Sequence, residues 1–240
     1  MSYLKSILKK NTGLRNIAVR IYGLVSGFKG WYYRLRNFPG VFVDSSTRVI
    51  GWANIEFKGS ASIGANSFVN VNHRRPGIKS LTIGHGVYLG RGNFISVGLE
   101  TIFCDYVITA SNCAFIGSHH IYSNPMVPYI STGTVNMARI RIGPNTFIGY
   151  GVTILGSVSI GFGSVIGSNC IVDFDIPPLS LVLGTPAKII KRYDIELGQW
   201  LPTENVEVRI TEEDYLRVVN KHRRDLILPF FAASSGFGDI

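Results

Sequence analysis

The sequence predicts an all-β chain wound into a parallel β-helix, with a helical segment appended at each end. Three observations carry that expectation: a six-residue period, a basic N-terminal stretch with helical spacing, and a capped helical pattern after the period ends. Between Ile142 and Val172 an aliphatic residue returns at every sixth position, at Ile142, Ile148, Ile154, Ile160, Ile166 and Val172. Small or β-branched residues (Thr146, Val152, Val158, Ser164, Cys170) stand four places after the first five of these. A helix repeats near 3.6 residues and a strand every two. Six is the period of a triangular coil that points one aliphatic side chain inward from each side. The glycine after several of these aliphatics (Gly143, Gly149, Gly161, Gly167) is expected at a corner, with the positive φ that glycine tolerates.

Composition sets the outer bounds. With 240 residues, 46% hydrophobic and 16% charged, the chain has ample material for a core, and global disorder is excluded. Cys104, Cys113 and Cys170 form no C-x-x-C pair or metal-like cluster and read as buried thiols. That usage fits a reducing compartment. No run of eighteen apolar residues occurs, so a membrane-spanning helix is not expected, and the N-terminus lacks the pattern of a secretory signal.

Residues 1–40 hold Lys5, Lys9, Lys10, Arg15, Arg20, Lys29, Arg34 and Arg36 and no acidic residue, eight of the formal net charge of +9. Leu4, Ile7, Leu8, Leu14, Ile17, Ile21, Leu24, Val25 and Phe28 recur at helical spacing, followed by Trp31, Tyr32 and Tyr33. Two readings stand side by side: a basic amphipathic helix lying on an anionic membrane surface, and a helix packed on the domain or a neighbouring subunit. Nucleic-acid binding is not expected, because no groove-reading or base-stacking motif accompanies the charge.

The β-helix is expected over residues 41–192. Its inward positions begin at Val43, Val49, Phe57, Ile63 and Val69, break at a loop over Asn72–Ser80, and resume at Ile83, Leu89 and Ile95. The rhythm then slips by one to Ile102 and Ile108, which single-coil contacts tolerate. Across 112–139 it vanishes. Long irregular excursions from a regular scaffold usually carry function, and this one holds His119 and His120.

Three blocks resemble the hexapeptide-repeat acyltransferases, and within them the sugar O-acetyltransferase branch of the maltose and galactoside acetyltransferases. Asn112–Tyr122 with Pro125 and Pro128 is similar to that branch's loop around a Gly-x-Asp-His motif. Ile142-Gly-Pro-Asn-Thr-Phe147-Ile-Gly149 matches a block where Trp is more usual at 147. Asp175-Ile-Pro-Pro-Leu-Ser-Leu-Val-Leu-Gly184-Thr-Pro-Ala-Lys188-Ile-Ile-Lys191 is very like the closing segment. The resemblance covers about residues 43–192. It implies left-handed coiling, a homotrimer with active sites between subunits, acetyl-CoA as co-substrate, and no metal.

The chemistry can be reasoned separately. Moving an acyl group from a thioester to a sugar hydroxyl needs a base for the hydroxyl proton, and a neutral imidazole suits the task. The thioester is already activated, and no Gly-x-Ser-x-Gly elbow is present, so direct attack in a ternary complex is expected. Matching the loop to the Asp-His pair places the base at His120, the first candidate. Counting repeats from Ile102 makes His119 nearly as good a candidate. By block matching, the resemblance implies that Phe147, Gly149 and Tyr150 border the pantetheine arm, Gly167 and Ser168 lie further along it, and Lys188 and Lys191 face the nucleotide phosphates. Asp173-Phe174 replaces a more usual Thr-Lys, which removes one expected cation.

Residues 193–240 form a C-terminal extension. Thr211 is placed to cap a helix with acids in its first turn, and Tyr215, Leu216, Val218, Val219 and Leu226 are placed to pack. The sequence therefore points to a cytoplasmic enzyme acting on a hydroxyl of a sugar or glycan precursor; under the membrane-surface reading of residues 1–40 it would stand at the inner membrane face, where lipid-linked precursors are within reach. Two alternatives are a non-catalytic trimeric scaffold and a gamma-type carbonic anhydrase. The second needs three zinc-binding histidines, and the only close pair here is adjacent.

Overall fold

The structure, a computed structural model, describes residues 40–71, 75–203 and 208–221. The amphipathic pattern of residues 1–39 lies outside them, as does Leu226.

The chain winds as short strands that stack into three parallel sheets, here faces A, B and C. The first coil carries β1 (Val41–Val43), β2 (Arg48–Ile50) and β3 (Ile55–Phe57), one strand on each face in that order. The second carries β4 (Ala61–Ile63), β5 (Phe68–Val71) and β6 (Leu81–Ile83). The third carries β7 (Val87–Leu89), β8 (Phe94–Val97) and β9 (Glu100–Phe103). In the fourth, β10 (Ile108–Thr109) and β11 (Ala114–Ile116) precede an excursion holding β12 (His119–His120) and β13 (Thr134–Val135). The coil then closes with β14 (Arg139–Ile142). The fifth carries β15 (Phe147–Ile148), β16 (Thr153–Leu155) and β17 (Val158–Ile160), and the sixth β18 (Val165–Ile166) and β19 (Ile171–Val172). A single bridge from Ile160 to Ile176 completes its third side. Then β20 (Ser180–Leu183) starts another turn on face A, and the chain doubles back as antiparallel β21 (Lys188–Asp194) and β22 (Gln199–Pro202). This is the β-helix that the six-residue period predicts.

The sequence pattern explains the core. Ile142, Ile148, Ile154, Ile160, Ile166 and Val172 are all fully buried, with Thr146, Val152, Ser164 and Cys170 buried beside them. The glycines behave differently from expectation. Gly143, Gly149 and Gly161 do not hold positive φ. They stand where consecutive coils touch: a Cβ at Gly143 would sit 2.6 Å from the Phe162 nitrogen, and one at Gly149 2.7 Å from the Ser168 nitrogen. The positive-φ corner falls two residues after this glycine, at Asn145, Gly151, Gly163 and Asn169. Asn enters that region more readily than most residues with a side chain.

A second correction concerns register. Ile102 is only half-buried and Ile108 is exposed, while Phe103 and Thr109 are fully buried. The step from Ile95 is eight residues rather than seven. Phe103 meets Phe115 edge to face at 4.8 Å, an arrangement that suits ring quadrupoles. Thr109 enters the core because its Oγ1 accepts hydrogen bonds from the Gly90 N–H (3.0 Å) and Asn93 Nδ2 (2.7 Å). Asn93 is itself satisfied, its Oδ1 accepting from the Cys113 N–H, so the buried polar pair avoids the cost of unmade bonds.

The C-terminal helix α1 (Glu212–Lys221) forms as the sequence predicts, with Thr211 Oγ1 accepting from the Asp214 N–H. It lies along the corner between faces C and A. Tyr215 stacks on Phe162 at 4.6 Å, and its hydroxyl accepts from Asn145 Nδ2. Asn220 accepts from the Tyr106 hydroxyl, and Glu212 pairs with Arg141. Beside that pair, burial pushes the Cys104 thiol up from its ordinary 9.0 to about 11, against the pull of Arg141. A group whose folded pKa is raised stabilises the fold below its unfolded pKa and loses that contribution as pH climbs through the folded value. Between pH 9.0 and about 11, the urea midpoint should therefore fall more steeply in the wild type than in Cys104→Ala. Parallel curves for the two proteins would show that the thiol is not held under the helix.

Candidate active site

Two groups of residues singled out from the sequence lie at different places on the triangular prism. The first runs along face A and its corner with face B. Strand pairing aligns Ile108, Phe147, Val165, Leu181 and Lys191 in one row across successive coils. Their neighbours in the same strands (Thr109, Ile148, Ile166, Val182) point into the core, so by strand alternation the row points outward. Phe147 is 42% exposed and Lys191 is exposed. Lys188 pairs with Leu183 and shares the outward side with Lys191. At about 4.8 Å per strand, Phe147 and Lys191 stand roughly 14 Å apart. The row is apolar at one end and cationic at the other.

The corner beside this row holds Tyr150 and Ser168, both exposed, on successive coils. Tyr150 reaches up one coil, its hydroxyl accepting from Asn112 Nδ2 at 2.9 Å. Gly149 and Gly167 have packing reasons of their own: a Cβ at Gly167 would meet Leu183 Cδ2 at 2.3 Å.

The second group is the excursion after β11. It leaves the prism at the corner between faces B and C, the corner opposite face A. Its root is tight. A Cβ at Gly98 would lie 2.1 Å from the Gly117 carbonyl oxygen, and Ser96 and Ser118 share a hydroxyl hydrogen bond of 2.7 Å. From this root β12 and β13 rise as an antiparallel pair, His119 opposite Val135 and His120 opposite Thr134. Adjacent strand residues point to opposite sides, so the two imidazoles face apart. Both are exposed.

The two histidines differ in one bond. His119 Nδ1 lies 2.9 Å from the His120 carbonyl oxygen. A carbonyl only accepts, so Nδ1 carries a proton, and in the neutral imidazole the lone pair is then on Nε2. That is the tautomer a general base needs. The His119 ring also lies 5.3 Å from the Tyr122 ring. Neither the tautomer-setting bond nor Tyr122 was legible as a site feature. The bond depends on local backbone geometry, and the only trace of the ring contact is the His-x2-Tyr spacing. Among the described residues, no three His, Cys, Asp or Glu side chains gather into a metal-binding group.

No protein-family model matches the chain. Two curated relatives carry provisional names: acetyltransferase for Rv3034c of Mycobacterium tuberculosis, and lipopolysaccharide biosynthesis O-acetyl transferase for WbbJ of Escherichia coli K12. The first is 37% identical over 112 residues, 47% of this chain and 37% of that protein. The second is 31% identical over 115 residues, 48% of this chain and 58% of that protein. The chain's similarity is to acetyltransferases. It matches only a third to three fifths of these relatives' own length. The fold also has a solved counterpart, a mutant of the N-acyltransferase AntD from Bacillus cereus, crystallised with coenzyme A and a dTDP-linked amino sugar. It superposes at a TM-score of 0.53 with 15% identity, over 75% of this chain and 91% of that one. That likeness bears on the β-helix alone.

Proposed function

We propose that the chain is an acetyl-CoA-dependent O-acetyltransferase acting on a hydroxyl of a sugar or glycan precursor of the surface-polysaccharide kind. The observation that carries this reading is the His119 Nδ1–H bond to a backbone carbonyl, on an excursion from a β-helix whose sequence is similar to acetyltransferases.

The face A row suits the donor. Phe147, Val165 and Leu181 offer an apolar track for a pantetheine arm, and Lys188 and Lys191 offer cations for phosphates. Acetyl-CoA, when bound, supplies an activated acyl group and a thiol leaving group. His119 Nε2 takes the proton of the acceptor hydroxyl as its oxygen attacks the acyl carbon, and returns it to the departing sulfur. The products are an acetyl ester and a free thiol, and no bond to the protein forms.

In one chain the histidine hairpin and the face A row stand on opposite sides of the prism. The reading therefore requires a neighbouring copy, and a homotrimer supplies three equivalent sites. Exposed Phe94 and Ile171, with Phe68 stacked on Phe94 at 5.7 Å, give face B an apolar surface for such contact. The basic residues 1–40 would hold the trimer at the cytoplasmic membrane face, near lipid-linked glycans.

The deciding assay is thiol release from acetyl-CoA with a glycan panel, run beside Lys191→Glu. Glycan-stimulated release, with the variant raising the KM for acetyl-CoA but not for its 3′-dephospho form, is expected. Release blind to every glycan and equal in both proteins would sink the reading. In the same preparation, equal vesicle binding by full-length chain and a version lacking residues 1–40 would remove the membrane component.

A further inference from the structure

The excursion that carries the histidines is uncharged along its whole length. Residues 106–138 contain no Asp, Glu, Lys or Arg, so all 24 basic and 15 acidic residues of the chain fall elsewhere. Exposed surface segments are normally where charge collects. Here the exposed side chains are instead Tyr122 (69%), Tyr129 (46%), Met126 (88%) and Ile130 (86%). The first charge met after the excursion, Arg139, already faces Glu100 on the neighbouring coil at 4.0 Å. Tyr122 is the side chain of this group in ring contact with His119, the two planes inclined at 46°.

We infer that Tyr122 is the acceptor-binding platform of this site and that the acceptor is an uncharged pyranose unit. This rests on the acetyl-transfer reading above. A pyranose presents one face of C–H groups, apolar and weakly positive, which complements the negative face of an aromatic ring. Stacked on Tyr122, the sugar brings a ring hydroxyl within reach of a base on the adjoining residue pair. A uronate, or a sugar bearing a nucleoside diphosphate, would have to leave its charges against a segment with no Lys or Arg to receive them, at a desolvation cost. Charge selection would thus arise from what the excursion lacks, and positioning from the ring it presents.

The test uses the full-length chain with acetyl-CoA and three matched acceptors: a neutral methyl hexopyranoside, the corresponding uronate, and the nucleoside-diphosphate hexose. Acetyl-CoA binding is measured in parallel by calorimetry. The neutral glycoside should give a kcat/KM at least about tenfold above either charged acceptor, whose charges would be desolvated without a partner. Tyr122→Ala should raise the KM for the neutral acceptor by a similar factor, leave acetyl-CoA binding unchanged and change kcat less than KM. Tyr122→Phe, which keeps the ring, should restore the wild-type KM. A charged acceptor turned over as well as the neutral one, or an unchanged KM in Tyr122→Ala, overturns the inference. So does turnover of none of the three while acetyl-CoA still binds. Absence of both turnover and acetyl-CoA binding would instead remove the acetyl-transfer reading beneath it.

Discussion

His119→Ala should lower acetyl transfer by about 10²–10⁴-fold, the usual contribution of a positioned general base, with acetyl-CoA affinity unchanged. The size follows from the role. Without Nε2 the acceptor hydroxyl must attack with its proton still in place or give it to water, because the other imidazole of the excursion, His120, faces the opposite side of β12. His120→Ala should do far less, because β12 turns that ring to the opposite side. Single-turnover thiol release with saturating acceptor separates the two variants from any change in product release. If His120→Ala is instead the silent protein, matching the loop to the Asp-His motif was the better guide, and the carbonyl bond of His119 is only structural. His119→Gln sharpens the comparison. Its amide can still bond the carbonyl but cannot accept a proton, so it should be as inactive as the alanine.

How the site could be read from sequence depends on distance along the chain. The break in the six-residue rhythm at 112–139 exposes the histidines, because a scaffold this regular makes any departure visible. The preference proposed for His119 over His120 rests on the pairing of β12 with β13 and on an imidazole bonded to the next carbonyl, and side-chain spacing carries no trace of either. The face A row was legible only in part. Phe147 and Lys191 lie far apart in sequence, and they share a row because β18 and β20 intervene in a fixed parallel stack. The docking of α1 was unreadable for the same reason. Its partners Tyr106, Asn145 and Phe162 come from three different coils.

The core shows the opposite balance. One aliphatic per face per coil is a local rule, so Ile142 to Val172 could be placed without any long-range information. The rule failed at Ile102 and Ile108, where the residues of higher strand propensity face outward and Thr109 enters the core. Its entry depends on Asn93, sixteen residues earlier and one coil away. Hydrophobicity alone could not anticipate a buried threonine whose bonds are made by another turn of the prism.

The glycines were misassigned because one residue type answers two needs, positive φ and close backbone approach, and substitution separates them. Gly161→Ala should lower stability by about 3 kcal/mol, the upper end for overpacking a filled site, and Tm by roughly 6–12 °C for a chain of this length. Its Cβ would lie 2.2 Å from the Pro178 nitrogen, 2.4 Å from Pro178 Cα and 2.8 Å from the Pro177 carbonyl carbon. All three are backbone atoms, two of them in or at a proline ring, so no side chain can swing aside and the coils must part. Asn169→Gly provides the contrast. Asn169 holds φ 60 at the true corner, glycine accepts that conformation freely, and the change should cost no more than about 1 kcal/mol of chain entropy. Denaturant midpoints for the two variants decide the matter. A mild Gly161→Ala would show that the coils can part to admit a Cβ, and a severe Asn169→Gly that the corner relies on the asparagine side chain, whereas the expected order places the constraint in the contact between successive coils, where each turn of the β-helix is held against the next.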